Sequence, residues 1–287
     1  MGNKLPTLEN CRFRAHTLTT SVSNLTVMPT IPGFWDIGPH DPLDVESTWR
    51  ELVSGLGGTV VEQILPNPRT FENADFLFRE KGVVAELKEI ATEFGSSAAF
   101  KSGFSELMLK VAAENPSWRP LLFGGNEPLP SWFDREFARL FRPPISRMLK
   151  KANRQLRDTK SHFGIKQPTG ILLLVNDGFT ALGPASIRAL VASLLQHSYS
   201  SIDCFIYLTV HRYVSLPESN VPRLVWAPVY SNRAPDWLAD FVNSLGNSWF
   251  IFLENKIGPF TVPNIVVEDA NVLRGSMPVV PPIRNAR

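Results

Sequence analysis

Apolar positions at helical spacing mark the first clear element of the chain. Val45, Trp49, Leu52 and Leu56 recur every three or four residues, Pro42 precedes them and Gly57-Gly58 follows. This predicts a helix over Asp44 to Leu56. The period then changes. Thr59 to Leu65 reads as a strand closed by Pro66-Asn67-Pro68, Ala74 to Phe78 as a second strand and Val83 to Ile90 as a third, with Glu80-Lys81-Gly82 as the turn. From Ala91 to Phe141 the pattern is helical with interruptions. Phe104, Leu107, Met108 and Val111 form a stripe that ends before Pro116, prolines 120, 128 and 130 punctuate a loop, and Ser131 with Asp134 suggests a capping box. Pro143-Pro144 opens a helix to Phe163, in which Ile145, Leu149, Ala152, Leu156 and Phe163 lie within about 40° of one line. Gly164 is placed to cap it.

Beyond that helix, Ile171 to Val175 is a buried strand, Pro184 to Gln196 a helix and Cys204 to Val210 a strand. Arg223 to Val229, Trp249 to Leu253 and Ile265 to Val267 read as further strands, with a helix from Trp237 to Leu245 and a tail over Pro278 to Pro282. Residues 1–40, with Pro29, Pro32 and Pro39, read as irregular structure or an edge strand. Strands and helices mix without strict alternation, which predicts an α/β fold: a mixed central sheet flanked by helices. One domain over residues 1–287 is expected, with a core at about 44–210, a helical insertion at about 91–142 and a C-terminal extension at about 215–287.

Composition narrows the class. Hydrophobic residues are 44% and charged residues 20% of the chain, enough apolar surface for a core. Cys11 and Cys204 are the two cysteines, which excludes a disulfide scaffold and a cysteine-rich zinc site. No apolar run approaches a membrane span, and the N-terminus has no continuous apolar stretch of the secretory kind. A soluble, cytoplasmic protein is expected, with no membrane partner.

Charge is unevenly placed. The formal net charge is +2, yet residues 135–166 hold ten Lys and Arg against Glu136 and Asp158. Arg147, Lys150, Lys151, Arg154 and Arg157 fall on the helix face opposite the apolar line. A local basic face points to a polyanion, and nucleic acid is the partner expected.

The densest chemistry lies in Asp75 and Glu86-Leu87-Lys88. Alternation puts Glu86 and Lys88 on one face of a strand, and a tight hairpin brings Asp75 beside Glu86. Two carboxylates that close repel unless a cation joins them. Oxygen ligands of this kind suit Mg²⁺ or Mn²⁺. Lys88 would stand over an attacking water and orient or deprotonate it, which is equipment for phosphodiester hydrolysis.

Asn73-Ala74-Asp75-Phe76-Leu77-Phe78 followed by Gly82-Val83-Val84-Ala85-Glu86-Leu87-Lys88 resembles the PD-(D/E)XK nuclease superfamily, whose fold is restriction-endonuclease-like. The order helix, three strands, helix, strand over Asp44 to Val175 agrees with that family's core. The chain departs from it at Ala74, where proline is common, and in the long insertion. The resemblance implies catalytic roles for Asp75, Glu86 and Lys88 and a Mg²⁺ or Mn²⁺ site on Asp75 and Glu86. It implies a further carboxylate from the first helix, for which Glu46 is the choice and Glu51 a second candidate, with Glu62 on the first strand as an alternative. It also implies that the basic helix serves the site: Lys151 and Gln155, one turn apart, touch the scissile phosphate or the metal-bound water, while Arg147, Lys150, Arg154 and Arg157 hold flanking phosphates.

The expected activity is metal-dependent hydrolysis of DNA or RNA. A non-catalytic nucleic-acid-binding or adaptor protein that keeps the fold is the alternative. DNA is the substrate favoured over RNA. Sequence preference, endo- or exonuclease action and a homodimer are left open.

Overall fold

Asp44 starts the first helix, α1 (Val45–Gly55), as its N-cap: the carboxylate accepts the Ser47 N–H at 2.6 Å and the Thr48 hydroxyl donates to the Asp44 carbonyl at 2.5 Å. Val45, Trp49, Leu52 and Val53 form its buried side. The computed structural model describes residues 15–19, 43–68, 71–90, 97–119, 128–179, 181–216, 219–258, 260, 262–267 and 270–278. The helices that follow α1 are α2 (Val61–Ile64), α3 (Ala98–Glu114), α4 (Phe133–Leu140), α5 (Arg142–His162), α6 (Pro184–Ser198) and α7 (Trp237–Ile257). The strands are β1 (Ala15–Thr19), β2 (Thr59–Val60), β3 (Phe76–Phe78), β4 (Val83–Glu89), β5 (Thr169–Val175), β6 (Cys204–Leu208), β7 (Val214–Leu216), β8 (Ser219–Tyr230), β9 (Val262–Val267) and β10 (Met277–Pro278).

The sheet runs in the order β10-β7-β8-β6-β5-β4-β3-β2, and β1 pairs off this path with β8 and β9. β4, β5 and β6 are parallel, whereas β2, β3 and β8 join antiparallel. This is the mixed α/β architecture the pattern predicts. Alternation along β5 feeds two cores. Ile171, Leu173 and Val175 meet α1 and α7 on one face, while Leu172 and Leu174 meet α5 and α6 on the other. On the first face Trp49 stacks on Trp249 at 4.5 Å and lies 6.2 Å from Trp226.

Three elements differ from the sequence reading. The strand expected over Thr59 to Leu65 stops at Val60. Val60 pairs with Phe76 and the Val61 N–H turns to the Asp75 carbonyl at 2.9 Å, after which β3 offers no further partner and the chain coils into α2. The strand expected over Trp249 to Leu253 is the C-terminal half of α7. Trp249, Phe250 and Leu253 continue the buried line of Leu238, Val242 and Leu245. Gly246 fits that line because a Cβ there would sit 2.8 Å from the Trp226 indole nitrogen. Third, β1 is no edge strand, since it pairs on both sides. Ser131 does not cap α4, which starts from Trp132 with no side-chain cap. The proline-bearing stretches at 29–39 and beyond Pro278 lie outside the described residues. No helix among those described is long and apolar enough to cross a membrane.

Candidate active site

The β3–β4 hairpin sets the acidic pair. Phe76 lies opposite Ala85, Leu77 opposite Val84 and Phe78 opposite Val83, so the next step places Asp75 opposite Glu86. A 3-10 turn (Arg79–Lys81) closes the hairpin, and Gly82 supplies the left-handed φ of 62° that ends it. Asp75 Oδ2 accepts the Leu87 N–H at 2.7 Å. Glu86 is fully buried, its Oε1 accepts from the Lys88 ammonium, and its Oε2 has no hydrogen-bond partner.

Asp75 and Glu86 lie close enough for the charge of Asp75 to act on Glu86. Burial first, and the Asp75 charge second, push Glu86 up to about 8 against the pull of Lys88. Burial likewise raises Asp75 above the ordinary carboxylate range, offset in part by the Leu87 N–H and Lys88. At neutral pH Glu86 therefore keeps its proton unless a cation replaces it.

A cleft of about 380 Å³ opens beside Asp75. α1 contributes Glu46 and Arg50, α2 contributes Glu62, and α5 contributes Lys151 and Gln155, with Phe71, Glu72 and Asn73 leading into β3. Glu46 is near enough for its charge to raise Asp75. Its carboxylate is held by Arg50, whose Nη2 donates to Glu46 at 2.5 Å and to Glu62 at 2.6 Å. Glu51, the second candidate on α1, instead pairs with Lys256 at 2.6 Å.

α5 does more than present charge. Gln155 Nε2 donates to the Asn73 carbonyl at 2.8 Å and the Thr159 hydroxyl accepts the Ala74 N–H at 2.8 Å. Two side chains one turn apart thus fix the backbone that delivers Asp75. Arg147, Lys150, Lys151, Arg154 and Arg157 are exposed on the same helix. Arg154 pairs with Glu72 at 2.5 Å and Arg157 with Asp158 at 2.9 Å. Lys160, counted in the basic segment, is turned inward onto Asp203 and Ser201 and leaves the patch.

Among the described residues no group of three or more His, Cys, Asp or Glu is arranged to hold a metal ion. Asp75 and Glu86 alone form the oxygen pair, with one buried oxygen left without a partner. Hard oxygen donors of this kind fit Mg²⁺ or Mn²⁺, which keep several waters and take one or two carboxylates. Arg50, Phe71 and Glu72 are site residues the sequence reading did not single out. The four-residue spacing of Glu46 and Arg50 is the one local signal for any of them. The chain matches no protein-family model, no curated protein and no solved structure.

Proposed function

We propose that the chain is a divalent-metal-dependent nuclease with a restriction-endonuclease-like core, hydrolysing phosphodiester bonds of DNA or RNA. The order α1, β2, β3, β4, α5, β5 supports the core assignment. The observation that carries the function is the buried Asp75–Glu86 pair, with Lys88 bonded to Glu86 and with Asp75 lining a cleft bordered by a basic helix.

Asp75 and Glu86 would hold Mg²⁺ or Mn²⁺, which when bound supplies stabilisation of the charge on the attacked phosphate. Lys88 positions the attacking water and moves its proton at Nζ. Gln155 and Thr159 keep Asp75 in place by holding the backbone before it. Lys151 and the exposed arginines of α5 bind flanking phosphates without regard to sequence.

The test is cleavage of mixed DNA and RNA substrates with Mg²⁺ or Mn²⁺, beside calorimetric metal titration. Lys88→Ala should keep metal binding and lower the rate by about 100-fold or more. Asp75→Asn should lose metal binding and cleavage together. Cleavage that survives in both variants refutes the assignment. A binding protein that keeps the fold is the second reading, favoured by the engagement of Glu46 with Arg50, which leaves two carboxylates rather than three at the centre. Nucleic-acid binding without cleavage by the wild type would select it.

A further inference from the structure

The nuclease reading leaves the form of the substrate open, and one atom in the cleft bears on it. Gln155 is 8% exposed and lines the cleft. The Asn73 carbonyl can only accept, so Nε2 must face it and Oε1 must face away. That oxygen is buried and has no hydrogen-bond partner among the described residues. A buried amide oxygen left unpaired is costly. A phosphate cannot satisfy it, because both groups are acceptors. The group that fits carries an N–H or O–H.

Most of the remaining lining has the same bias. Glu46, Glu62, Glu72 and Asp75 all present acceptor oxygens, Arg50 is committed to the first two, and Lys151 stands near enough to Glu72 to join Arg154 in lowering its pKa. Phe71 adds an aromatic wall, part-exposed and packed on the His162 ring at 4.9 Å. Phosphates are better served by the outer face of α5. A volume of about 380 Å³ suits one small ligand and not a duplex.

We propose that this cleft holds one unpaired nucleotide of the substrate, its base stacked on Phe71 and a donor bonded to Gln155 Oε1. The proposal rests on the nuclease reading and adds that the enzyme takes single-stranded or extruded nucleotides. In a duplex both faces of a base are covered, so the stacking contact cannot form unless the nucleotide is extruded. The donor is either an N–H of the base, exocyclic amino or ring imide, or the ribose 2′-hydroxyl.

The experiment measures anisotropy of labelled oligonucleotides with the full chain in EDTA, where turnover is silent. Single-stranded oligo-dC should bind more tightly than a duplex of the same length. If the base supplies the donor, oligo-dT methylated at N3 falls well below oligo-dT. If the ribose supplies it, oligo-U RNA exceeds oligo-dT. Phe71→Ala should weaken single-strand binding by about tenfold, the usual scale of one stacked base. Phe71→Trp should restore it, with indole fluorescence quenched on binding. Equal binding of oligo-dC, oligo-dT, oligo-U and duplex, or wild-type affinity in Phe71→Ala, overturns the proposal. Mg²⁺-dependent duplex cleavage that is equal in wild type and Phe71→Ala overturns it while leaving the nuclease reading intact. Quenching of Phe71→Trp by oligo-dC without any metal-dependent cleavage supports the pocket and removes the nuclease.

Discussion

Two lysine–carboxylate pairs lie under the same helix layer and have different consequences. Lys160 donates to Asp203 at 3.2 Å and to the Ser201 carbonyl at 3.0 Å, and Asp203 also accepts the Gly170 N–H at 2.8 Å. A Cβ on Gly170 would lie 2.0 Å from the Ser201 carbonyl, so α5, β5 and the start of β6 close on this point without a gap. Lys88 and Glu86 form the other pair. Here one Glu86 oxygen has no partner, a second carboxyl group stands beside it, and a cleft adjoins Asp75. A buried ion pair with its groups satisfied acts as a clasp. One that leaves an oxygen unpaired beside a second carboxyl group stays unbalanced, and its acid keeps a proton.

The largest effect should come from breaking the clasp. Asp203→Ala strands the Lys160 ammonium and the Gly170 N–H, and should lower unfolding free energy by about 3 kcal/mol in urea titrations. Lys88→Ala should lower it by a small fraction of that, because Glu86 already keeps its proton at neutral pH and is left with no bare charge. Equal losses in the two variants would erase the distinction.

The next effect is one of pH. In the fold Glu86 keeps its proton to about 8, while in the unfolded chain it loses it near 4.5. Across that window the folded state binds the extra proton, so stability falls as pH rises, by up to about 1.4 kcal/mol per pH unit. Glu86→Gln should flatten the slope, as read from urea midpoints in EDTA at acidic, neutral and mildly basic pH. Mn²⁺ should reduce the slope in wild type by replacing the proton. A wild-type slope that rises with pH in EDTA would overturn the assigned direction.

The smallest effect lies on the helix surface. The Arg154–Glu72 pair is about half exposed on both sides, so Arg154→Ala should leave the urea midpoint almost unchanged. Neutralising Lys150, Lys151 and Arg154 together should still flatten the dependence of nucleic-acid affinity on salt. An unchanged slope would move the binding surface away from α5.

The hairpin was readable because alternation is local: Asp75, Glu86 and Lys88 need one turn of the right length to meet. The run Trp-Phe-Ile-Phe-Leu at 249–253 misleads by the same local logic. Its residue types favour strands, and only the distant Leu238, Val242 and Leu245 reveal the helical line. The tie between Gln155 and Asn73 spans 82 positions, and no pattern within either segment announces it. Lys160 could not be separated from its basic neighbours before Asp203 came into view. Arg50 was hidden differently, since a salt bridge within a helix gives no sign that a second carboxylate waits on another element.

Adjacent residues of α1 face opposite ways. Trp49 joins the indole stack with Trp249 and Trp226 inside the molecule, while Arg50 reaches into the cleft. The helix cannot shift Arg50 toward or away from its carboxylates by any large amount without sliding one indole across another. Intrinsic fluorescence and the near-ultraviolet dichroism of coupled indoles therefore form a gauge of the cleft's width. It needs no label, and it can be read during any ligand titration.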